Sequence, residues 1–192
     1  MSLRGFGVDL LLASRVQTSI ERFYDLERVA DVAPFVTRAS GREKLLVREA
    51  DDGAVEMTLE LPAHRGDLDG YCQIIEGVSH FVYVATRAAQ DRATTALELE
   101  MQAEVDKWVV LAGELESLDV ARSAALRARL FENVSYVDGE HTERYRVANR
   151  TALRFLRRLE RTHVAERRFD ALRRELHAFF RSGQEDKLRR AA

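Results

Sequence analysis

The chain has 192 residues, 46% of them hydrophobic and 32% charged, with a net charge of −2. That balance suits one domain with a proper core and excludes a disordered or fibrous chain. A single cysteine, Cys72, excludes an internal disulfide and fits a reducing compartment.

The longest apolar run near the start, Val8 to Ala13, is interrupted by Asp9. It is too short for a signal-peptide core or a membrane span, so a soluble cytoplasmic protein without membrane contact is expected. Two prolines and ten glycines leave long uninterrupted segments, which favours helix. Residues 14–33 read as an amphipathic helix, because Val16, Ile20, Phe23, Leu26 and Ala30 recur at helical spacing. Ser14 followed by Gln17 resembles a capping box, and Pro34 ends the helix.

"KLLVREADDGAVEMTLELP", about residues 44–61, reads as a β-hairpin. Val55, Met57, Leu59 and Leu61 alternate with Glu56, Thr58 and Glu60, and Asp52-Gly53 suits a tight primed turn. Its apolar face needs cover, from helices or from a partner's sheet, since an isolated hairpin is marginal in water. Beyond the loop "PAHRGDLDG" the pattern is helical over 71–90, 94–112, 118–132 and 141–181. Gly113 suits a C-cap and "SYVDGEH" a turn.

In the first of these helices Glu76, His80, Tyr83 and Arg87 form a polar stripe opposite Ile74, Val78, Phe81, Val82 and Ala85. Facing water, the stripe would hold only a weak Glu76–His80 pair. Lining a cleft, the same two side chains could bind a metal. The 94–112 helix has two polar stripes, Glu100, Glu104 and Lys107 on one side and Glu98, Gln102 and Asp106 on the other. Apolar residues flank both, so this helix is expected between neighbours, with its carboxylates paired to Arg144 or Arg150.

The final segment is basic, with 15 Arg/Lys and 8 Asp/Glu from Glu140 to Ala192, a net of +7. Arg outnumbers Lys 27 to 3 along the whole chain, which fits a codon preference and weakens any argument from Arg identity. Tyr145, Ala148, Ala152, Phe155, Leu156 and Leu159 share one face, while Arg146, Arg150, Arg154, Arg157, Arg158 and Arg161 lie opposite. Past residue 165 the stripe of Phe169, Leu172, Leu176, Phe179 and Phe180 is rotated by roughly a third of a turn. The helix must therefore bend near Thr162 to Glu166, or its end must pack on another body as a dimerisation or partner-docking arm.

Three candidate sites follow. The first is a polar cluster of Glu100, Glu104, Arg144, Tyr145 and Asn149, which serves as an interhelical clasp or as a binding site. The second is a transition-metal site using Glu76, His80, Glu104, Glu160 and His163, where "ERTH" supplies one Glu-x-x-His. A four-helix di-metal site needs two such motifs, and "EGVSH" is one residue too long. The third is a nucleic-acid surface along Arg146, Arg150, Arg154, Arg157, Arg158 and Arg161, weakened because no aromatics interleave that face. No phosphate loop, dinucleotide fingerprint or nucleophile elbow occurs, Cys72 reads as a core residue, and "DLDG" reads as a turn.

A mainly α fold is expected: one single-domain bundle of four to six helices with one N-terminal β-hairpin. Its helical core is placed at about 71–165 and a basic helical arm at about 166–192. The leading function is a cytoplasmic binding or scaffolding protein that acts through protein–protein contacts, homodimerises and needs no cofactor. A helical enzyme holding a transition metal and a nucleic-acid binder are the alternatives.

Overall fold

The structure is a computed structural model describing residues 3–49, 55–132, 134 and 142–192. It is mainly α, with seven α-helices and a three-stranded sheet among the described residues. The chain divides into two compact units, Met1–Ala93 and Thr94–Ala192. No described helix is long and apolar enough to cross a membrane.

The first unit begins with α1 (Leu3–Tyr24), which buries Ala13, Val16, Ile20 and Tyr24 at spacings of three and four. It starts before and stops short of the expected 14–33. Asp25 adopts a positive φ of 52°, and the Leu26 amide donates to the Glu21 carbonyl at 2.9 Å, the backbone stop of a Schellman motif. Ala30 returns to the helix through a side chain instead. The buried Gln17 donates to the Ala30 carbonyl at 2.7 Å and accepts from the Val32 amide at 2.9 Å. Ser14 is no N-cap; it lies within α1, where its carbonyl accepts from Thr18.

A short turn at Ala33–Phe35 leads into the sheet: β1 (Val36–Arg38), β2 (Lys44–Glu49) and β3 (Val55–Leu61), in the order β1-β3-β2. The expected hairpin ladder is present, running from Lys44 opposite Glu60 to Glu49 opposite Val55. Its tight turn at Asp52-Gly53 lies outside the described residues. The hairpin is not alone, because β1 pairs parallel to β3 with Val36 opposite Leu59.

Helix α2 (Leu68–Ala88) starts at Asp67, whose carboxylate accepts from the Gly70 amide at 2.8 Å. Gly77 lets the sheet approach α2: a Cβ there would sit 2.9 Å from Leu59 Cδ1 and 2.9 Å from Leu61 Cδ2. Phe35 meets Phe81 with ring centroids 5.1 Å apart. Asp9 ties α1 to one end of the sheet, accepting from Arg38 at the end of β1 at 2.7 Å and from the His64 amide just past β3 at 3.1 Å.

The second unit contains α3 (Ala96–Gly113), α4 (Val120–Phe131), α5 (Thr142–Leu159), α6 (Phe169–Arg181) and α7 (Gln184–Ala191). Thr95 and Asp119 cap α3 and α4 with side-chain oxygens. The expected turn "SYVDGEH" lies outside the described residues. On α5 the apolar face is closed to solvent, with Ala148, Ala152, Phe155, Leu156 and Leu159 all at 0% exposure.

The expected bend is built from a π-turn at Glu160–Val164 followed by Arg167 at φ 55°. The Arg167 amide donates to the Val164 carbonyl and the Arg168 amide to the His163 carbonyl, another Schellman stop. α6 then folds back so that Phe179 stacks on Phe155 at 4.4 Å between centroids. Leu172, Leu176, Phe179 and Phe180 are buried. The displaced stripe, expected as a dimerisation or docking arm, is thus covered within its own unit at these four positions, while Phe169 at its start is 40% exposed.

Candidate functional site

The polar stripe on α2 does not face water. Glu76, His80, Tyr83 and Arg87 are all buried. His80 Nδ1 lies 3.8 Å from a Glu43 carboxylate oxygen. Arg87 stands over the Tyr83 ring at 5.6 Å and donates to the Ala93 carbonyl at 3.3 Å. Fourteen of the 21 residues of α2 are buried, so helical phase alone could not identify a solvent face. Cys72, expected in the core, is half-buried at the start of this helix.

The other feature of the first unit is the sheet edge. Among the described residues β2 pairs with β3 on one side only. Leu45, Val47, Met57, Leu59 and Leu61 share one face of the hairpin by register. That face is buried at Leu59 and Leu61 and open at its far end, where Val47 is 50% and Val55 40% exposed. On the opposite face Leu46 is also exposed, beside an Arg48–Glu56 cross-strand pair.

In the second unit, part of the expected polar cluster forms between α3 and α5. The buried Glu100 forms an ion pair with Arg144 at 3.3 Å, and Arg144 lies 5.3 Å from the Tyr145 ring centroid. Glu104 instead pairs with Lys107 on its own helix at 3.0 Å. Arg150 turns to Glu143 at 3.0 Å rather than to the α3 acids. The opposite α3 stripe is buried, with Gln102 donating to Asp106 at 2.8 Å. Lys187 of α7 completes it, donating to Gln102 at 2.5 Å and to the Phe179 carbonyl at 2.7 Å. Nothing in the charged segment "QEDKLRRA" marks this lysine as buried.

At the bend, the buried Glu160 accepts from Ser123 at 2.7 Å and Arg127 at 2.8 Å. Arg127 also binds Glu132, which takes a further hydrogen bond from Arg157 at 2.8 Å. Burial works against the Arg127 charge, but its hydrogen bonds to Glu160 and Glu132 outweigh burial and raise its pKa. Hydrogen bonds from Arg157 and then Arg127 hold the Glu132 carboxyl below the usual glutamate range.

The residues of the metal alternative are distributed over both units. Glu76 and His80 lie in the first unit. In the second, Glu160 is held by Ser123 and Arg127 and Glu104 by Lys107, while His163 is half-buried. Among the described residues no three His, Cys, Asp or Glu side chains form a group that could hold a metal ion.

The arginine face of α5 is exposed or half-buried as expected. Carboxylates already engage much of it: Arg146 and Arg150 share Glu143, Arg157 meets Glu132, and Arg158 meets Glu175. Arg154, between Arg150 and Arg157, and Arg161 beyond them are also exposed.

This face borders a groove of about 550 Å³, with Arg146, Asn149, Arg150, Leu153 and Arg157 of α5 on one wall. Phe131 and Glu132 at the end of α4, with Val134, make the other. The positions 146, 150, 153 and 157 form one stripe, legible as helical spacing. The opposing wall comes from packing α4 against α5, which no local pattern announces. Compared with models of known families, with curated proteins and with solved structures, the chain matches none.

Proposed function

We propose that this is a cytoplasmic binding protein that works through protein–protein contacts and self-associates by pairing β2 with β2 of a second copy. The observation that carries this reading is the edge of β2 that no described strand pairs, with Leu46 41% and Val47 50% exposed. Such an edge presents open backbone donors and acceptors, and another strand satisfies them. The single cysteine, Cys72, supports a reducing compartment.

The register of such a pairing is constrained by symmetry. A two-fold axis normal to the sheet keeps each face on its own side, so opposed residues must have the same parity. With Leu46 on the axis, Leu45 falls opposite Val47 of the second copy, and the row Met57–Val47–Leu45–Leu59 runs unbroken across both sheets. Lys44 falls opposite Arg48, but β3 sets Glu60 beside the first and Glu56 beside the second, so the row alternates acid, base, base, acid. Continuity of the apolar row favours this register.

Sedimentation equilibrium of the full chain tests the proposal. The expected species at tens of micromolar is a dimer of the 21.9 kDa chain, and Val47→Lys with Leu46→Lys is expected to give a folded monomer. A wild type that stays monomeric through that range, or a lysine variant that still dimerises, rejects the proposed edge pairing.

A further inference from the structure

We propose that the groove on the second unit binds an amphipathic organic anion, with at least two negative charges beside an apolar body. Among the described residues, three guanidinium groups and one carboxylate line it, a net of +2. Its volume of about 550 Å³ is that of a small-molecule site, for which roughly 300–1,000 Å³ is usual. The walls are not uniformly polar: Val134 and Leu153 offer apolar surface alongside the charges, backed by the nearly closed Phe131.

A second feature points to a ligand. Asn149 lines the groove and is only 5% exposed. Buried amides are normally partnered, and one facing a groove is positioned to bond whatever fills it. The ion pairs that now occupy the arginines are not an obstacle. Arg150–Glu143 and Arg157–Glu132 are solvent-accessible pairs of the weak, exchangeable kind. An anion seated between them exchanges one carboxylate partner for another.

A compact ligand fits better than a nucleic-acid strand. Arg154 and Arg161 continue the basic face but are not among the groove's described lining residues, where the one aromatic side chain, Phe131, is 4% exposed. A strand needs a longer charged track and faces on which bases stack.

The test is calorimetric titration of the full chain with naphthalene-1,5-disulfonate, a dianion on an apolar ring. Inorganic sulfate and 1-naphthalenemethanol serve as the charge-only and apolar-only controls. One site per chain is expected, with the disulfonate bound at least about tenfold more tightly than either control. Arg150→Ala with Arg157→Ala is expected to weaken it by about tenfold or more, while Arg154→Ala with Arg161→Ala leaves it unchanged. Glu132→Gln removes a competing charge and is expected to tighten binding about threefold. That gain keeps the test decisive if the double arginine variant fails to fold.

Equal affinity for disulfonate and controls, indifference to the groove arginines, or weaker binding in Glu132→Gln overturns the proposal. So does tight binding of an RNA oligonucleotide that depends on Arg154 and Arg161 as strongly as on the groove pair, which would assign the face to nucleic acid.

Discussion

Lys187 of the last helix donates to the side-chain oxygen of Gln102 at 2.5 Å, with both residues at 0% exposure. The contact spans 85 positions and joins α7 to the centre of α3. The same amine donates to the Phe179 carbonyl and sits 4.2 Å from the Phe179 ring centroid, so α7 is anchored to α3 and α6 by one group. Removing one member of such a buried network strands the others without solvent. Lys187→Ala should therefore cost about 3–5 kcal/mol. Lys187→Met, which keeps most of the volume, should cost about 1–3 kcal/mol through the unsatisfied Gln102 and Phe179 oxygens. Urea unfolding followed by circular dichroism measures both. A methionine variant as stable as the wild type would show that the lysine fills space and contributes nothing through its hydrogen bonds.

Gly77 decides how closely the sheet can lie on α2. An alanine methyl would stand 2.9 Å from two leucine methyls, Leu59 Cδ1 and Leu61 Cδ2, on side chains at 0% and 1% exposure. Two effects oppose each other. Alanine in a helix interior gains about 1 kcal/mol over glycine, whereas overpacking a closed core costs about 1–3 kcal/mol. Since neither leucine has free space to retreat into, packing should win, with a net loss of about 1–2 kcal/mol in Gly77→Ala. Gly7→Ala supplies the contrast, because a Cβ there meets nothing within 4 Å on the exposed side of α1. That variant should gain up to about 1 kcal/mol. Paired chemical denaturation curves check the sign, and a stabilised Gly77→Ala would mean that the sheet yields.

Which parts were legible in the sequence follows from the range of the interactions involved. Alternation from Val55 to Leu61 is a local signal, and the β2–β3 ladder follows it residue for residue. The rotation of the apolar stripe past residue 165 required a bend, and the π-turn at Glu160–Val164 provides it. The Glu100–Arg144 pair was accessible from charge balance on a helix flanked by apolar residues. β1 was not, because three residues in a parallel pairing leave too short a period to read. The end of α1 was missed for another reason: Ala30 keeps helical phase with Ile20 and Phe23, yet Gln17 holds it there by hydrogen bonds across an irregular loop. The groove and the buried Lys187 depend on helices distant in sequence.

Glu132 makes the second unit sensitive to acid at a defined place. Hydrogen bonds from Arg157, the larger influence, and from Arg127 hold its carboxyl below the ordinary glutamate value of about 4.3. A carboxylate with a depressed folded pKa stabilises the native state above its unfolded pKa, and that contribution is lost as pH falls through the folded one. The tether from the end of α4 to α5 should thus be complete above about pH 5 and released well below pH 4. A carbon-detected NMR titration of the Glu132 carboxyl should give a midpoint below about 4.3, and Arg157→Gln should move it back toward that value. Thermal unfolding supplies the matching readout. The difference between wild type and Glu132→Gln should be constant above about pH 5 and vanish in acid. A midpoint at or above the ordinary value would mean that Arg157 and Arg127 do not hold this carboxylate in solution.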